Sequence, residues 1–69
     1  MTTSTLGEEL PKEMARIRDQ LLPVYDSIPT GIFAATLMRR DLDRAAVALA
    51  EGDLPEMIRV YESLKGYKL

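Results

Sequence analysis

The stretch Glu51-Gly-Asp-Leu-Pro-Glu56 constrains this chain more than any other part of it. Gly52 can take the left-handed backbone conformation that ends a helix without steric penalty. Asp53 and Glu56 stand at capping-box spacing, and Pro55 falls in a first helical turn, where a missing N–H leaves no bond unmade. One helix therefore ends and another begins within about three residues, which predicts an antiparallel helical hairpin.

The flanking sequence carries helical periodicity. Before the turn, Ala34, Ala35, Met38, Leu42, Ala45, Ala46 and Leu49 fall in one arc, which Phe33, Leu37 and Ala48 widen toward half the circumference. Thr36, Arg39, Arg40, Asp43 and Arg44 take the other side. After the turn, Leu54, Met57, Ile58, Tyr61 and Leu64 form one stripe that stops at Gly66. Upstream, Leu10, Met14, Ile17, Leu21, Val24 and Ile28 are spaced four, three, four, three, four, with Tyr25 alongside. Thr5 and Glu8 have capping-box spacing, while Pro11 is an alternative first-turn residue. The stripe passes through Pro23 in phase, so one helix kinked near Pro23 is expected rather than two. Ser27-Ile-Pro-Thr-Gly31 is turn chemistry: Pro29 biases Ile28 out of helix, and Ser27 or Thr30 can cap the second helix. The expectation is an all-α, three-helix domain over 1–69, with helices over about 8–27, 31–51 and 54–65 and a flexible tail over 1–6. A long kinked first helix packs across the hairpin of the other two.

A chain of 69 residues has a marginal core unless something staples it. It contains no cysteine and no histidine, which removes disulfides, thiolate metal sites and the commonest remaining metal ligand. Efficient helix packing or oligomerisation is left. The wide apolar arc of the second helix, only partly covered by two short neighbours, predicts a homo-oligomer, most simply a dimer.

The same absences remove the usual neutral-pH general base, the thiolate nucleophile and the triad. Asp41 and Asp43 are two apart on a helix and do not face each other; with Asp19 and Asp26 they are expected to be ordinary surface acids. The glycines sit at turns and helix ends, and no phosphate loop is present. No enzyme activity, cofactor or metal is expected. A net charge of −2 gives no pull toward nucleic acid or anionic lipid, and no apolar run approaches a membrane span. The polar, acidic start is unlike a secretory signal, so a cytoplasmic protein is expected.

Arg39, Arg40 and Arg44 are the only basic concentration on one helix face, with Tyr67 beyond the third helix as a further contact candidate. The arginines are read either as a grip on phosphate or a partner's carboxylates, or as a solvated face with Arg39–Asp43 and Asp41–Arg44 pairs. Tyr25 and Tyr61 are expected in the core with wet hydroxyls, and Met14, Met38 and Met57 as core filler.

The segment Ala46-Val-Ala-Leu-Ala-Glu-Gly-Asp-Leu-Pro-Glu-Met-Ile-Arg-Val-Tyr-Glu-Ser-Leu64 resembles the helix–turn–helix centre of a single tetratricopeptide repeat. Over most of its length the chain is similar to short uncharacterised proteins encoded in bacterial phages and prophages. The order that carries this likeness is Arg-Ile-Arg-Asp, Leu-Leu-Pro-Val-Tyr, Ile-Pro-Thr-Gly, Asp-Leu-Asp-Arg-Ala, Ala-Glu-Gly-Asp and Tyr-Glu-Ser-Leu-Lys. The expected function is non-enzymatic: self-assembly or capture of a protein partner. The alternative implied by the phage likeness is an inhibitor that blocks a host defence protein or sequesters a small anionic signal.

Overall fold

The computed structural model describes residues 5–68. Three segments, α1 (Leu6–Arg16), a π-helical turn (Ile17–Leu21) and α2 (Leu22–Asp26), run end to end as one rod; a 3-10 turn (Pro29–Gly31) leads into α3 (Ile32–Glu51), and α4 (Leu54–Lys65) completes an all-α, three-helix fold. Part of the tail expected over 1–6 lies outside the described residues, and Leu6 is already helical. Thr5 is the N-cap, but its side chain makes no capping bond; its carbonyl accepts the N–H groups of Glu8 at 3.0 Å and Glu9 at 2.8 Å. Pro11 lies inside α1.

Pro23 acts one turn earlier than the expected kink. It has no N–H for the carbonyl of Asp19, and its ring would crowd that carbonyl in a regular α-helix. The preceding turn is widened instead, and the Leu22 N–H reaches back five residues to the Ile17 carbonyl. The extra residue rotates everything downstream. Leu10, Ile17 and Leu21 are buried as expected, but Leu22 follows them inward, whereas Val24 and Ile28 are about two-fifths exposed.

The hairpin forms where the sequence puts it. Gly52 has φ +66°, and Asp53 caps α4 by accepting the Glu56 N–H at 3.3 Å. The Glu56 carboxylate does not complete the capping box; it turns to Arg44, and the Asp53 N–H goes to the Ala48 carbonyl. At the other corner Gly31 is buried, and a Cβ there would lie 2.4 Å from the Tyr25 carbonyl oxygen. This glycine is required for space: the two backbones touch.

Leu10, Ile17, Met38, Val60 and Leu64 form the fully buried centre of the core. Both hairpin helices are rotated relative to their apolar arcs. α3 buries Ala35, Met38, Asp41, Ala45 and Ala48, while Phe33 and Ala46 face out. α4 buries Met57, Val60 and Leu64, leaving Leu54 and Ile58 exposed. The Cα envelope measures 41 × 26 × 16 Å. Its thin dimension is close to that of two packed helix layers, whose axes lie about 8–10 Å apart with Cα atoms about 2.3 Å from each axis, so each rod keeps one face to solvent.

Candidate functional site

The inward rotation of α3 carries a carboxylate into the protein. Asp41 is 3% exposed, a correction to its expected place among the surface acids. Its Oδ2 accepts from the Tyr67 hydroxyl at 2.8 Å and its Oδ1 from Arg44 Nη1 at 3.1 Å; Arg44 Nη2 continues to Glu56 Oε1 at 2.7 Å. A buried carboxylate is costly unless paired and hydrogen-bonded, and this one is both. Burial pushes the Tyr67 hydroxyl up to about 12, reinforced by its bond to Asp41, whose charge opposes a second anion. The hydrogen bond to Glu56 likewise raises the pKa of Arg44.

A second set of contacts holds the segment after α4. Arg16 Nη2 donates to the carbonyls of Leu64 at 3.0 Å and Tyr67 at 3.1 Å, while its Nε bonds Glu13 at 3.1 Å. A guanidinium at the C-terminal end of a helix satisfies orphan carbonyls and offsets the negative end of the helix dipole. The Tyr25 hydroxyl donates to the Lys68 carbonyl. Residues 64–68 are thereby fastened to α1, α2 and α3. These contacts tie the fold together, and among the described residues no buried side-chain nitrogen or oxygen is left without a hydrogen-bond partner.

The three arginines singled out by sequence are separated by these contacts. Arg39 pairs with Asp26 across the first corner, in place of the expected Asp43, and Arg44 is held by Asp41 and Glu56. Arg40 forms no ion pair among the described residues, and neither does Asp43. Tyr67, the fourth candidate, is half-buried with its hydroxyl turned inward. Arg40, Asp43, Arg44 and Val47 border a shallow groove of about 340 Å³ that runs to Asp53 and Glu56 at the start of α4.

Several large hydrophobic side chains face solvent. Phe33 is 76% exposed, Ile32 64%, Leu54 60%, Val47 55% and Ile58 53%. On α3, Phe33, Thr36, Arg40, Asp43, Val47 and Ala50 are all exposed and recur at intervals of three, four, three, four and three. That is the a/d spacing of a heptad, drawn on the face opposite the core. Thr36 donates its hydroxyl to the Ile32 carbonyl at 2.9 Å, so its methyl group is its free contact atom.

Among the described residues no helix is long and apolar enough to cross a membrane, and no three acidic side chains gather where they would hold a metal ion. Comparison with protein-family models, curated proteins and solved structures gave no match. Sequence reasoning missed Asp41 and Arg16. The signal for Asp41 was its place three residues after Met38 and four before Ala45, inside the apolar arc. Beyond its local pairing with Glu13, the role of Arg16 carried no sequence signal, since the carbonyls it holds belong to Leu64 and Tyr67, about fifty residues downstream.

Proposed function

We propose that this protein is a non-enzymatic interaction module that works by covering its exposed apolar side chains with another protein surface. The supporting observation is the exposure of Phe33, at 76%, beside Ile32, at 64%. Scattered surface hydrophobics are ordinary, but neighbouring large ones characterise surfaces that bind. Aromatic residues, phenylalanine among them, are enriched in protein–protein interfaces relative to the rest of the surface. Leu54 and Ile58, one turn apart on α4, form a second exposed pair. Sequestering an anionic signal is the weaker reading, because Arg39 and Arg44 already hold carboxylates of the same chain. Blocking a host protein, the use implied by the phage likeness, would employ the same apolar surface.

The test is a photo-crosslinking phenylalanine analogue at position 33, irradiated in living cells and compared with the same analogue at exposed Glu62. A discrete adduct from position 33, absent from position 62, is expected. Identical patterns from the two positions would overturn the reading.

A further inference from the structure

The exposed heptad of α3 is complementary to itself. In an antiparallel pair of helices the a positions of one meet the d positions of the other. Laying a second α3 across the first in this way places Phe33 against Ala50, Thr36 against Val47 and Arg40 against Asp43, and a two-fold axis repeats each pair in reverse. The largest side chain of the row meets the smallest. The two β-branched side chains meet each other, with the Thr36 hydroxyl already satisfied within its own helix. At the centre, a cation and a carboxylate that form no ion pair within the described chain meet their opposites twice.

We infer that the exposed face of α3 docks a second copy of this chain, antiparallel and two-fold, with reciprocal Arg40–Asp43 pairs fixing the register. The inference rests on the interaction reading above and names its partner. A two-fold interface demands self-complementarity, which a surface shaped for an unrelated protein has no reason to show. Charged residues at central a and d positions cost stability but select one alignment. A parallel alignment sets Arg40 against Arg40 and Asp43 against Asp43, and is repelled. The oligomer expected from the apolar arc of the second helix is relocated: Ala35, Met38, Ala45 and Ala48 are spent in the protein's own core, and the opposite face does the docking.

The experiment is sedimentation equilibrium of the full chain and of two charge reversals, R40D and D43R, each checked by circular dichroism for an unchanged helical spectrum. Each reversal alone puts like charges opposite one another and should weaken self-association tenfold or more, a tenfold loss being about 1.4 kcal/mol. Mixed in equal amounts, the two should associate with one another within about threefold of the wild-type affinity, because each reversed charge then faces its opposite on the other chain. Wild-type chain that stays a monomer from micromolar to millimolar concentration overturns the inference. So does a mixture that associates no better than its components. If the wild type is monomeric yet position 33 still crosslinks to a different protein in cells, the interaction reading stands and the second copy is wrong. Crosslinking at position 33 no different from position 62 defeats both.

Discussion

The Tyr67 hydroxyl donates to Asp41 Oδ2 at 2.8 Å, joining residues 26 apart in sequence and seating the end of the described chain on the middle of α3. Asp41 is the one buried charged side chain among the described residues, so this bond decides whether its burial is tolerable. Tyr67→Phe removes the donor and leaves the ring. The expected cost is about 1–3 kcal/mol, the penalty for a buried acceptor losing its partner, or a fall in melting temperature of roughly 4–8 °C per kcal/mol for a domain of this size. Tyr61→Phe, where no hydroxyl bond exists to lose among the described residues, should melt close to the wild type. Equal melting points for all three proteins would show that the bond contributes nothing.

The same bond sets an alkaline limit. Tyr67 titrates at about 12 in the folded protein against 10.0 for an ordinary tyrosine. Between these values the folded chain holds a proton that the unfolded chain has lost, so stability falls as pH rises. The Tyr67 contribution is fully present below pH 10 and is lost as pH passes through about 12. Denaturant melts from about pH 8 to 11.5 should show this decline, and the Tyr67→Phe protein should lack the part of it that belongs to Tyr67.

Two glycines separate space from backbone freedom. Gly31→Ala would drive a Cβ to 2.4 Å from the Tyr25 carbonyl oxygen, a backbone atom that cannot yield without moving the first rod. Gly66→Ala meets nothing nearer than 3.4 Å. Thermal melts should therefore show Gly31→Ala strongly destabilised and Gly66→Ala within about 0.5 kcal/mol of wild type, as ordinary surface substitutions are.

Gly52 is the converse case. A Cβ there has nothing within 4 Å, so any cost comes from φ +66° alone. Gly52→Val should be more damaging than Gly52→Asn, because a β-branched residue resists the left-handed region that asparagine tolerates. Asp53→Ala should cost about 1 kcal/mol through the lost N-cap. Denaturant midpoints would rank the three; Gly52→Val as stable as Gly52→Asn would contradict the account of the turn.

The hairpin was legible because its causes are local: Gly52, Asp53 and Pro55 act on their immediate neighbours, and the expected bounds of α3 and α4 fall within a residue of those observed. The rotation of the helices was not. Counting apolar residues centres α3 on its alanines, whereas the protein turns it to bring in Asp41, whose only compensation comes from Arg44 and from Tyr67 far downstream. The π turn escaped for a related reason. A period of 3.6 assumes a regular helix, and Pro23 alters the helix before it, which exchanges Val24 for Leu22 in the core. Of the candidate site, Arg40 could be read from its position, but the pairing of Arg39 with Asp26 and of Arg44 with Glu56 depends on how the helices pack.

The central claim, a face of α3 that docks a second copy of itself in one orientation, is tested most directly by position-specific crosslinking. The chain has no cysteine, so single introduced thiols report without background. In the antiparallel pair Thr36 of one copy lies level with Val47 of the other, whereas two Thr36 positions are separated by about eleven residues, or about 16 Å along the helix at roughly 1.5 Å per residue. A mixture of the T36C and V47C chains treated with a short bis-thiol reagent should yield a T36C–V47C dimer quickly, while T36C alone yields little. Crosslinking of T36C alone as fast as the mixture would contradict the account.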